Sequence, residues 1–408
     1  MTAEKRIRLQ ELRAKEQLND EEFAEFEVLE RIEKNEPVIE RFKENQKAPY
    51  EEKVSRAYNL AWEFYHDVDG QAYVAVGGLD SITLYLFLRY IGIDVPAVSA
   101  SALEDKSIQR VHKALGVQAL KPAKPKVSVI REFGWPVLSK EIAGKISLLQ
   151  HPSEKNATVR HAIITGETGK QGGYQKKSRM RLSQKWLNLF GGYENENEGV
   201  EYGKPDFLVS DKCCYYLKEK PCNDYAKQYG RYPYMGLMAS EGGRRQKALM
   251  INGCNYISAG TKRSCPFATF QRNDILRLAI EMNQWYLEHT DLFPGIDGKP
   301  IESIIPEIYG EIVRDENGNL RTTKAQRTGC SMCGFGIQKE KRPHRFDLLF
   351  ERNPKEWELW MHHVVQRDDG TWYGWGHVLD YVGVEWREPW KYLRDGKAGG
   401  CNGKKQAD

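Results

Sequence analysis

The pattern of hydrophobic and polar positions changes its period near residue 56. Residues 1–55 are rich in Glu, Lys, Arg and Leu with apolar residues at helical spacing, which predicts one or two amphipathic helices. Beyond them, the apolar run QAYVAVG at 71–77 predicts a buried strand. The run ITLYLFLRYIG, which ends at Gly92, predicts an apolar helix directly after it.

The alternation of strand and helix continues along the chain. VPAVSAS at 95–101 predicts a second strand, EDKSIQRVHKALG at 104–116 a polar helix, and VQAL at 117–120 a third strand. The run MGLMA at 235–239 predicts another buried strand, followed by a basic helix. Such alternation indicates βαβ units, so we expect an α/β fold with a Rossmann-like parallel sheet flanked by helices.

Changes in composition and in hydrophobic pattern along the chain predict three segments. These are a helical extension at 1–55, an α/β nucleotide-binding domain at 56–290, and a small Cys- and Trp-rich region at 291–408. Six of the ten tryptophans fall in the last segment: Trp357, Trp360, Trp372, Trp375, Trp386 and Trp390. We expect most of them to form the core of a C-terminal subdomain, with a stacking platform for bases as the alternative.

Composition narrows the class of protein. The chain is 40% hydrophobic and 29% charged, with a net charge of +4, as in ordinary globular proteins. No segment approaches the roughly 18 apolar residues of a membrane span, and the N-terminus lacks the apolar core of a secretory signal. We therefore expect a cytoplasmic protein without membrane contact. In that compartment eight cysteines suggest metal ligands, reactive thiols or buried residues rather than disulfides.

The segment VAVGGLDSITL has the features of a phosphate-binding loop. A predicted strand ends, Gly77 and Gly78 allow a tight turn, and a helix begins near Asp80 or Ser81. Backbone N–H groups at a helix N-terminus, together with the helix dipole, attract phosphate. Ser81 adds a hydroxyl donor, and Asp80 can cap the helix or help to organise a metal such as Mg²⁺.

This loop resembles the Ser-Gly-Gly-x-Asp-Ser pyrophosphate loop of the ATP pyrophosphatase superfamily, with Val76 in place of the leading serine. Further motifs follow in the same order as in phosphoadenosine-phosphosulfate (PAPS) reductase-like proteins: SALED (101–105), FGWPVLSKE (133–141), KCCYYLKEKP (212–221), GLMASEGGRR (236–245), NGCNYI (252–257) and RTGCSMCGFG (327–336). The resemblance covers about residues 56–350. It implies an adenine nucleotide alpha-hydrolase-like fold that binds PAPS, adenylyl sulfate or ATP.

The sulfur residues form a second constellation. Cys213 and Cys214 are adjacent, and Cys330 and Cys333 form a C-x-x-C pair. Four thiolates can hold a [4Fe–4S] cluster or a tetrahedral zinc ion. Adenylyl-sulfate reductases, which this pattern resembles, use a tandem Cys-Cys and a distant C-x-x-C around one cluster, so the cluster is the expected occupant. The spare candidates are Cys222, Cys254 and Cys265.

Several charged residues are candidates for contacts to the nucleotide. Lys140, Arg244, Arg245 and Arg327 lie in the family-like motifs, and arginine can bind phosphate or sulfate through two parallel hydrogen bonds. Arg245 is preferred, because its spacing to Cys254 matches the family. Glu104 is a candidate for ribose or metal contacts.

A second group of basic residues, at 176–186, is either a solvated helix start or a contact to phosphate: Lys176, Lys177, Arg179, Arg181 and Lys185.

The resemblance favours sulfonucleotide reduction. Asp80 and Arg245 would act on the nucleotide and its sulfate, and a thioredoxin-like partner would supply electrons. Reductases of this kind use a cysteine in a C-terminal Glu-Cys-Gly-x-His signature. Here the sequence reads GGCNGKKQAD, so Cys401 is either the nucleophile, without those flanking residues, or an unused exposed thiol.

Two other functions stay open at this point. The fold also suits ATP-dependent adenylation and thiolation of tRNA or DNA, with sulfur supplied by a cysteine desulfurase. The missing C-terminal signature favours this reading. The third is a catalytically degenerate protein that binds a nucleotide or a partner. Val76 and the Gly242-Gly243 pair, where the family has a serine after Glu241, motivate it.

Overall fold

A computed structural model of the chain describes residues 1–15, 20–100, 104–167, 180–192, 202–258, 260–325 and 329–395. Its α-helices are α1 (Ala3–Ala14), α2 (Asp20–Lys47), α3 (Tyr50–Asp67), α4 (Leu79–Tyr90), α5 (Lys106–Ala114), α6 (Lys126–Phe133), α7 (Lys140–Gln150), α8 (Ala157–Thr165), α9 (Gln184–Phe190), α10 (Lys212–Cys214), α11 (Lys220–Tyr229), α12 (Gly243–Asn252), α13 (Arg272–Glu288), α14 (Ile305–Tyr309), α15 (Arg345–Arg352), α16 (Pro354–His362), α17 (Trp375–Val382) and α18 (Pro389–Asp395). Its strands are β1 (Ala72–Ala75), β2 (Ala97–Ser99), β3 (Gln118–Ala119), β4 (Val137–Leu138), β5 (Tyr232–Met235), β6 (Asn255–Ser258), β7 (Thr261–Ser264), β8 (Ile312–Arg314), β9 (Leu320–Thr322), β10 (Gly334–Phe335), β11 (Val365–Gln366) and β12 (Trp372–Tyr373).

The chain folds into two compact units, each built from two separate stretches of sequence. Unit 1 comprises residues 1–121 and 220–329, and unit 2 comprises residues 122–219 and 330–408. These are packing units. The domain boundaries after residues 55 and 290 come from sequence composition, and they stay predictions.

A six-stranded sheet organises unit 1, in the order β3-β2-β1-β5-β7-β6. Strand β1 is central and pairs in parallel with both β2 and β5, whereas β6 pairs antiparallel with β7 at one edge. Helix α4 is apolar on nearly every side and is buried at Leu79 and from Ile82 to Leu88, as expected for a helix that packs inside a domain. The predicted mixed α/β fold, with a mostly parallel sheet and flanking helices, is confirmed.

Two helices, α1 and α2, lie within the predicted helical extension, and a further helix, α3, which begins there and ends at Asp67, belongs to the core of unit 1. Helix α3 contributes Ala57, Ala61 and Phe64 to the same hydrophobic cluster as β1 and α4. At its start, Lys53 forms a buried ion pair with Asp274, 2.8 Å between Nζ and Oδ2. The buried charge of Lys53 is thus paired, as the cost of desolvation requires.

One predicted strand was wrong in position. The run at 235–239 was expected to be a strand, but β5 ends at Met235. The chain leaves the sheet there because Gly236 lies directly against the backbone of the loop after β1, where a Cβ would be 2.7 Å from the Ser81 nitrogen. Of the apolar residues that follow, Met238 and Ala239 are buried outside the sheet and Leu237 is half-buried.

Unit 2 has its own hydrophobic core, rich in aromatic residues. Trp357, Trp360, Trp375 and Trp386 are buried in it, whereas Trp372 and Trp390 are exposed. The prediction that most of these tryptophans form a core is confirmed for four of the six. No helix within the described part of the chain combines the length and the apolar character that a membrane span needs.

Candidate functional site

The predicted phosphate loop joins β1 to α4 in unit 1, and Ser81 closes it on itself. The backbone N–H of Gly77 donates to Ser81 Oγ at 2.8 Å, and the Ser81 hydroxyl donates to the Gly78 carbonyl at 3.1 Å. Ser81 therefore fixes the shape of the turn instead of standing apart from it. The structure places Gly77, Gly78, Asp80 and Ser81 in one strand–turn–helix element, as the sequence predicts.

Two residues from distant parts of unit 1 hold the same loop. The Tyr309 hydroxyl accepts a hydrogen bond from the Leu79 N–H at 2.7 Å. His112 Nε2 lies 2.9 Å from the Gly77 carbonyl oxygen, so this nitrogen carries the proton that the carbonyl accepts. Sequence reasoning missed both residues, because neither lies in a motif near the loop.

Asp80 faces a cation that the sequence did not single out. Arg272, at the start of α13, has its Nη1 3.6 Å from Asp80 Oδ1. Gly236 packs on the backbone of the same turn, and its hydrogen side chain makes that close approach possible. Val76 is 5% exposed and lies in the hydrophobic core, so this position supplies no donor to the loop.

The other predicted nucleotide residues of unit 1 have more ordinary surroundings. Arg245 is exposed and pairs with Glu241 one helical turn away, at 2.5 Å. Glu104 is buried just before α5, and its carbonyl accepts from the Gln109 side chain. The side chain of Arg244 and the residues Arg327 and Cys401 lie outside the described part of the structure.

Part of the basic run at 176–186 is described. Arg181 donates to the Ile164 carbonyl at 3.2 Å, and Lys185 lies over the Trp186 ring, 4.8 Å from its centre. Lys176, Lys177 and Arg179 lie outside the described residues.

In unit 2 the motifs that carry the cysteines come together. Strand β4, from the FGWPVLSKE motif, pairs in parallel with β10, which directly follows the C-x-x-C, so Val137 lies opposite Gly334. Trp135 forms a parallel bridge with Val209, just before the tandem cysteines. Motifs about 200 residues apart thus form one framework, which orders the chain around the thiols.

All four predicted ligand cysteines lie in unit 2 and interact electrostatically with one another. Burial raises the pKa of Cys213 to about 12, an effect that Lys126 opposes and the three other thiols reinforce. Burial also raises the pKa of Cys214, opposed by Lys140 and reinforced by Cys330 and Cys333. Cys213 and Cys214 therefore hold their protons, and a metal that binds them must displace these protons.

A buried lysine is placed among these thiols. Lys126 is 4% exposed, and its Nζ donates to the Ser331 carbonyl and, at 2.9 Å, to the Met332 carbonyl. Burial lowers the pKa of Lys126, and the four thiols act against that shift. Sequence reasoning missed it, since a lysine in KPAKPKVSV is typical of a surface.

Lys140 lies at the rim of the same thiol site. Its Nζ is 2.8 Å from Glu219 Oε1. Burial acts to lower the pKa of Lys140, but Cys214 and Glu219 outweigh it and raise that pKa above its usual value. Lys140 thus meets a thiol and a carboxylate within unit 2.

The spare cysteine candidates belong to unit 1. Cys222 lies on α11, and Cys265 donates its backbone N–H to the Cys254 carbonyl at 2.8 Å. Over the described ranges, no group of three or more His, Cys, Asp and Glu side chains has metal-site geometry. The four thiols of unit 2 therefore share one neighbourhood without being drawn into a coordination shell.

Comparisons with protein-family models, curated proteins and solved structures found no match. The evidence for a function therefore consists of the sequence motifs and the geometry of the loop and the thiol site.

Proposed function

We propose that the chain is a PAPS reductase-like enzyme of the adenine nucleotide alpha-hydrolase type. In this proposal it binds an adenine nucleotide at Gly77–Ser81, holds a [4Fe–4S] cluster on Cys213, Cys214, Cys330 and Cys333, and acts in sulfonucleotide reduction. The mostly parallel sheet with a loop between β1 and α4 is compatible with a Rossmann-like fold of that type.

The observation that carries the proposal is the convergence of the cysteines. The tandem pair and the C-x-x-C pair are 116 positions apart between Cys214 and Cys330, yet both lie beside Lys126. Helix α6, which begins at Lys126, contacts the helix of the tandem pair, and Lys126 Nζ donates to the two carbonyls between Cys330 and Cys333. Isolated structural cysteines have no reason to gather in this way. A tandem pair and a C-x-x-C that meet in one place are what a four-thiolate site requires.

The donor set fits an iron–sulfur cluster chemically. Thiolates are soft ligands that select zinc, copper(I) and iron–sulfur clusters over magnesium or calcium. Cys213 is buried and the three others are half-buried, so a bound cluster would be shielded from water. When bound, such a cluster supplies local negative charge and a redox-active centre, while Lys126 and Lys140 supply positive charge beside it.

The nucleotide half of the proposal rests on the loop in unit 1. The N-terminus of α4, a helix of 12 residues, presents backbone N–H groups beside Asp80 and Arg272. Such a terminus favours phosphate, and Arg272 supplies a cation at the same turn. Asp80 would help to hold Mg²⁺ beside a nucleotide phosphate, and Mg²⁺ would supply further positive charge to it.

The proposed reaction is a transfer of the sulfonate group to a cysteine thiolate. The thiolate, assigned to Cys401, attacks the sulfate sulfur, so a sulfur–sulfur bond forms and the bond from sulfur to the phosphate oxygen breaks. The nucleotide leaves with that oxygen. A thioredoxin-like dithiol then cleaves the new sulfur–sulfur bond, releases sulfite and is itself oxidised to a disulfide.

The first test is anaerobic purification followed by iron, sulfide and zinc analysis and a visible spectrum. We expect four irons per chain and a broad visible absorption band that disappears in Cys330→Ser. The matched control is Cys222→Ser, which removes a half-buried thiol from unit 1 and should keep the iron. A colourless protein that contains stoichiometric zinc, or no metal, would contradict the cluster.

The second test separates the reaction classes. The iron-loaded protein is incubated with PAPS or adenylyl sulfate and reduced thioredoxin, and sulfite is measured. We expect sulfite with the wild type and none with Cys401→Ser. Pyrophosphate release from ATP that depends on added tRNA or DNA would instead support thiolation. Nucleotide binding with neither product would support a degenerate binder.

A further inference from the structure

Lys126 is a buried cation beside the thiols of unit 2, and no predicted role accounts for it. An unpaired buried ammonium is costly, so a chain retains one only where its N–H groups and its charge are both satisfied. Two of its three N–H bonds point to backbone carbonyls, those of Ser331 and Met332. These are the two residues between Cys330 and Cys333, so the hydrogen bonds fix the C-x-x-C turn itself.

The other side of the ammonium meets an aromatic ring. Lys126 Nζ lies 4.8 Å from the centre of the Trp360 ring, within the range of a cation–π contact. Trp360 lies on α16 in the aromatic core of unit 2. The Trp-rich region thus forms one wall of the thiol site.

The charge of Lys126 acts on both pairs of cysteines. Its Nζ donates within the C-x-x-C turn, and α6, which begins at Lys126, contacts α10, which carries Cys213 and Cys214. Four thiolates around a cluster or a zinc ion leave a net negative charge in a poorly solvated place. A fixed ammonium in that place offsets part of this charge and also holds the turn that carries two of the ligands.

We propose that Lys126 is the positioning residue and built-in counter-charge of the four-thiolate site. The inference rests on the proposed function, because it concerns the metal that those cysteines would hold. It assigns to one residue two separable effects. The hydrogen bonds keep Cys330 and Cys333 in place, and the positive charge stabilises the electron-rich, reduced state of a bound cluster.

The two effects are separated by two substitutions. Lys126→Gln keeps an N–H donor for the carbonyls but removes the charge, and Lys126→Met removes both. We expect Lys126→Gln to retain most of its iron and to have a more negative reduction potential, since adding an electron becomes less favourable without the cation. Lys126→Met should lose at least half of its iron and show the same direction of shift in what remains.

The matched control is Lys124→Gln. Lys124 is two residues away, pairs with Glu132, and lies over the rings of Phe133 and Tyr216 instead of facing the thiols. Its substitution should change neither the iron content nor the potential. Circular dichroism and thermal unfolding of each variant report on folding, and a purely structural role for Lys126 would lower the Tm without moving the potential.

The outcomes distinguish this inference from the proposed function. A wild type that binds no metal refutes the four-thiolate site, and the inference fails with it. A metal-loaded wild type whose Lys126→Gln and Lys126→Met variants match it in metal content and potential overturns the inference alone. If the metal is zinc, competition with a chelator replaces potentiometry, and faster zinc loss from both variants than from Lys124→Gln is the supporting result.

Discussion

Gly334 lies so close to Trp375 that a Cβ on this glycine would be 2.3 Å from the edge of the indole ring. Gly334 is the residue after the C-x-x-C, and its strand pairs with Val137. The glycine is therefore needed because the aromatic core of unit 2 packs directly on the backbone that carries the cysteines.

Gly334→Ala should destabilise unit 2. The added methyl group must displace a fully buried tryptophan, so we expect a loss of about 1–3 kcal/mol. Thermal unfolding followed by tryptophan fluorescence measures it. Gly329→Ala is the control, because a Cβ there has open space. Equal Tm values for the two variants would show that Trp375 does not constrain the turn.

Asp80→Ala should weaken nucleotide binding roughly tenfold, which corresponds to about 1.4 kcal/mol. Asp80 lies in the first turn of α4 and faces Arg272, so its loss removes the carboxylate that would organise Mg²⁺ at the loop. Isothermal calorimetry with ATP and with adenylyl sulfate measures the change.

Asp94→Ala is the control for Asp80→Ala. It removes a carboxylate just beyond the other end of the same helix, where Asp94 pairs with Arg89. An unchanged affinity in Asp80→Ala would remove the loop from the proposed site.

Tyr309→Phe should affect both stability and nucleotide affinity. It deletes the acceptor for the Leu79 N–H, a bond worth about 1 kcal/mol, and leaves that loop amide without its buried partner. Tyr286→Phe is matched to it, since it deletes a buried hydroxyl that bonds to Ile301 elsewhere in unit 1. We expect both variants to unfold at lower temperature but only Tyr309→Phe to bind ATP more weakly. A parallel loss of affinity in both would mean that Tyr309 acts only on global stability.

Asp206 should make the stability of unit 2 depend on pH in the acidic range. Partial burial acts to raise the pKa of Asp206, but hydrogen bonds from His377 and Arg367 outweigh it and lower that pKa below 3.8. Ionised Asp206 therefore stabilises the folded state at any pH above its unfolded-state pKa. This stabilisation is lost as the pH falls through its lower folded-state pKa.

The measurement is the Tm of the wild type and of Asp206→Asn from neutral pH downwards. We expect the wild type to be more stable by a few degrees at most, because the pair is half exposed, with the difference vanishing below the usual carboxyl range. Asp368→Asn, on an exposed turn nearby, controls for the loss of one negative charge. A difference that persists at low pH would show that the effect is not ionic.

Local sequence patterns predicted β1, β2, β3 and the apolar helix α4, because β1, β2 and α4 carry strong hydrophobic signals. They did not predict β6 and β7, whose residues are mostly half-buried or exposed. The strand expected at 235–239 failed for a tertiary reason. Its residues are apolar enough for a strand, but Gly236 must pass along the turn at Ser81, and that contact ends β5. Hydrophobic periodicity and strand propensity are local properties of the sequence, so they do not report a contact between two distant backbone segments.

The candidate sites likewise contain some residues that the sequence predicted and others that it did not. The turn at Gly77–Ser81 was predictable from its position between an apolar strand and an apolar helix, and the four cysteines stood out because cysteine is rare in the chain and their spacing is specific. Lys126 and Arg272 were not, because a lysine or arginine on a polar stretch has the same local pattern whether it points to water or to a buried carbonyl. Only the fold decides which of the chain's 61 basic residues turn inward.

The discontinuity of unit 2 has a consequence for how the protein is made. Residues 122–219 leave the ribosome before the 110 residues of 220–329, and only then do Cys330, Cys333 and β10 follow. At a synthesis rate of roughly 5–20 residues per second, Cys330 and Cys333 are made roughly 5–20 seconds after the tandem cysteines. During synthesis the nascent chain therefore carries the adjacent thiols of Cys213 and Cys214 before the second stretch of unit 2 exists.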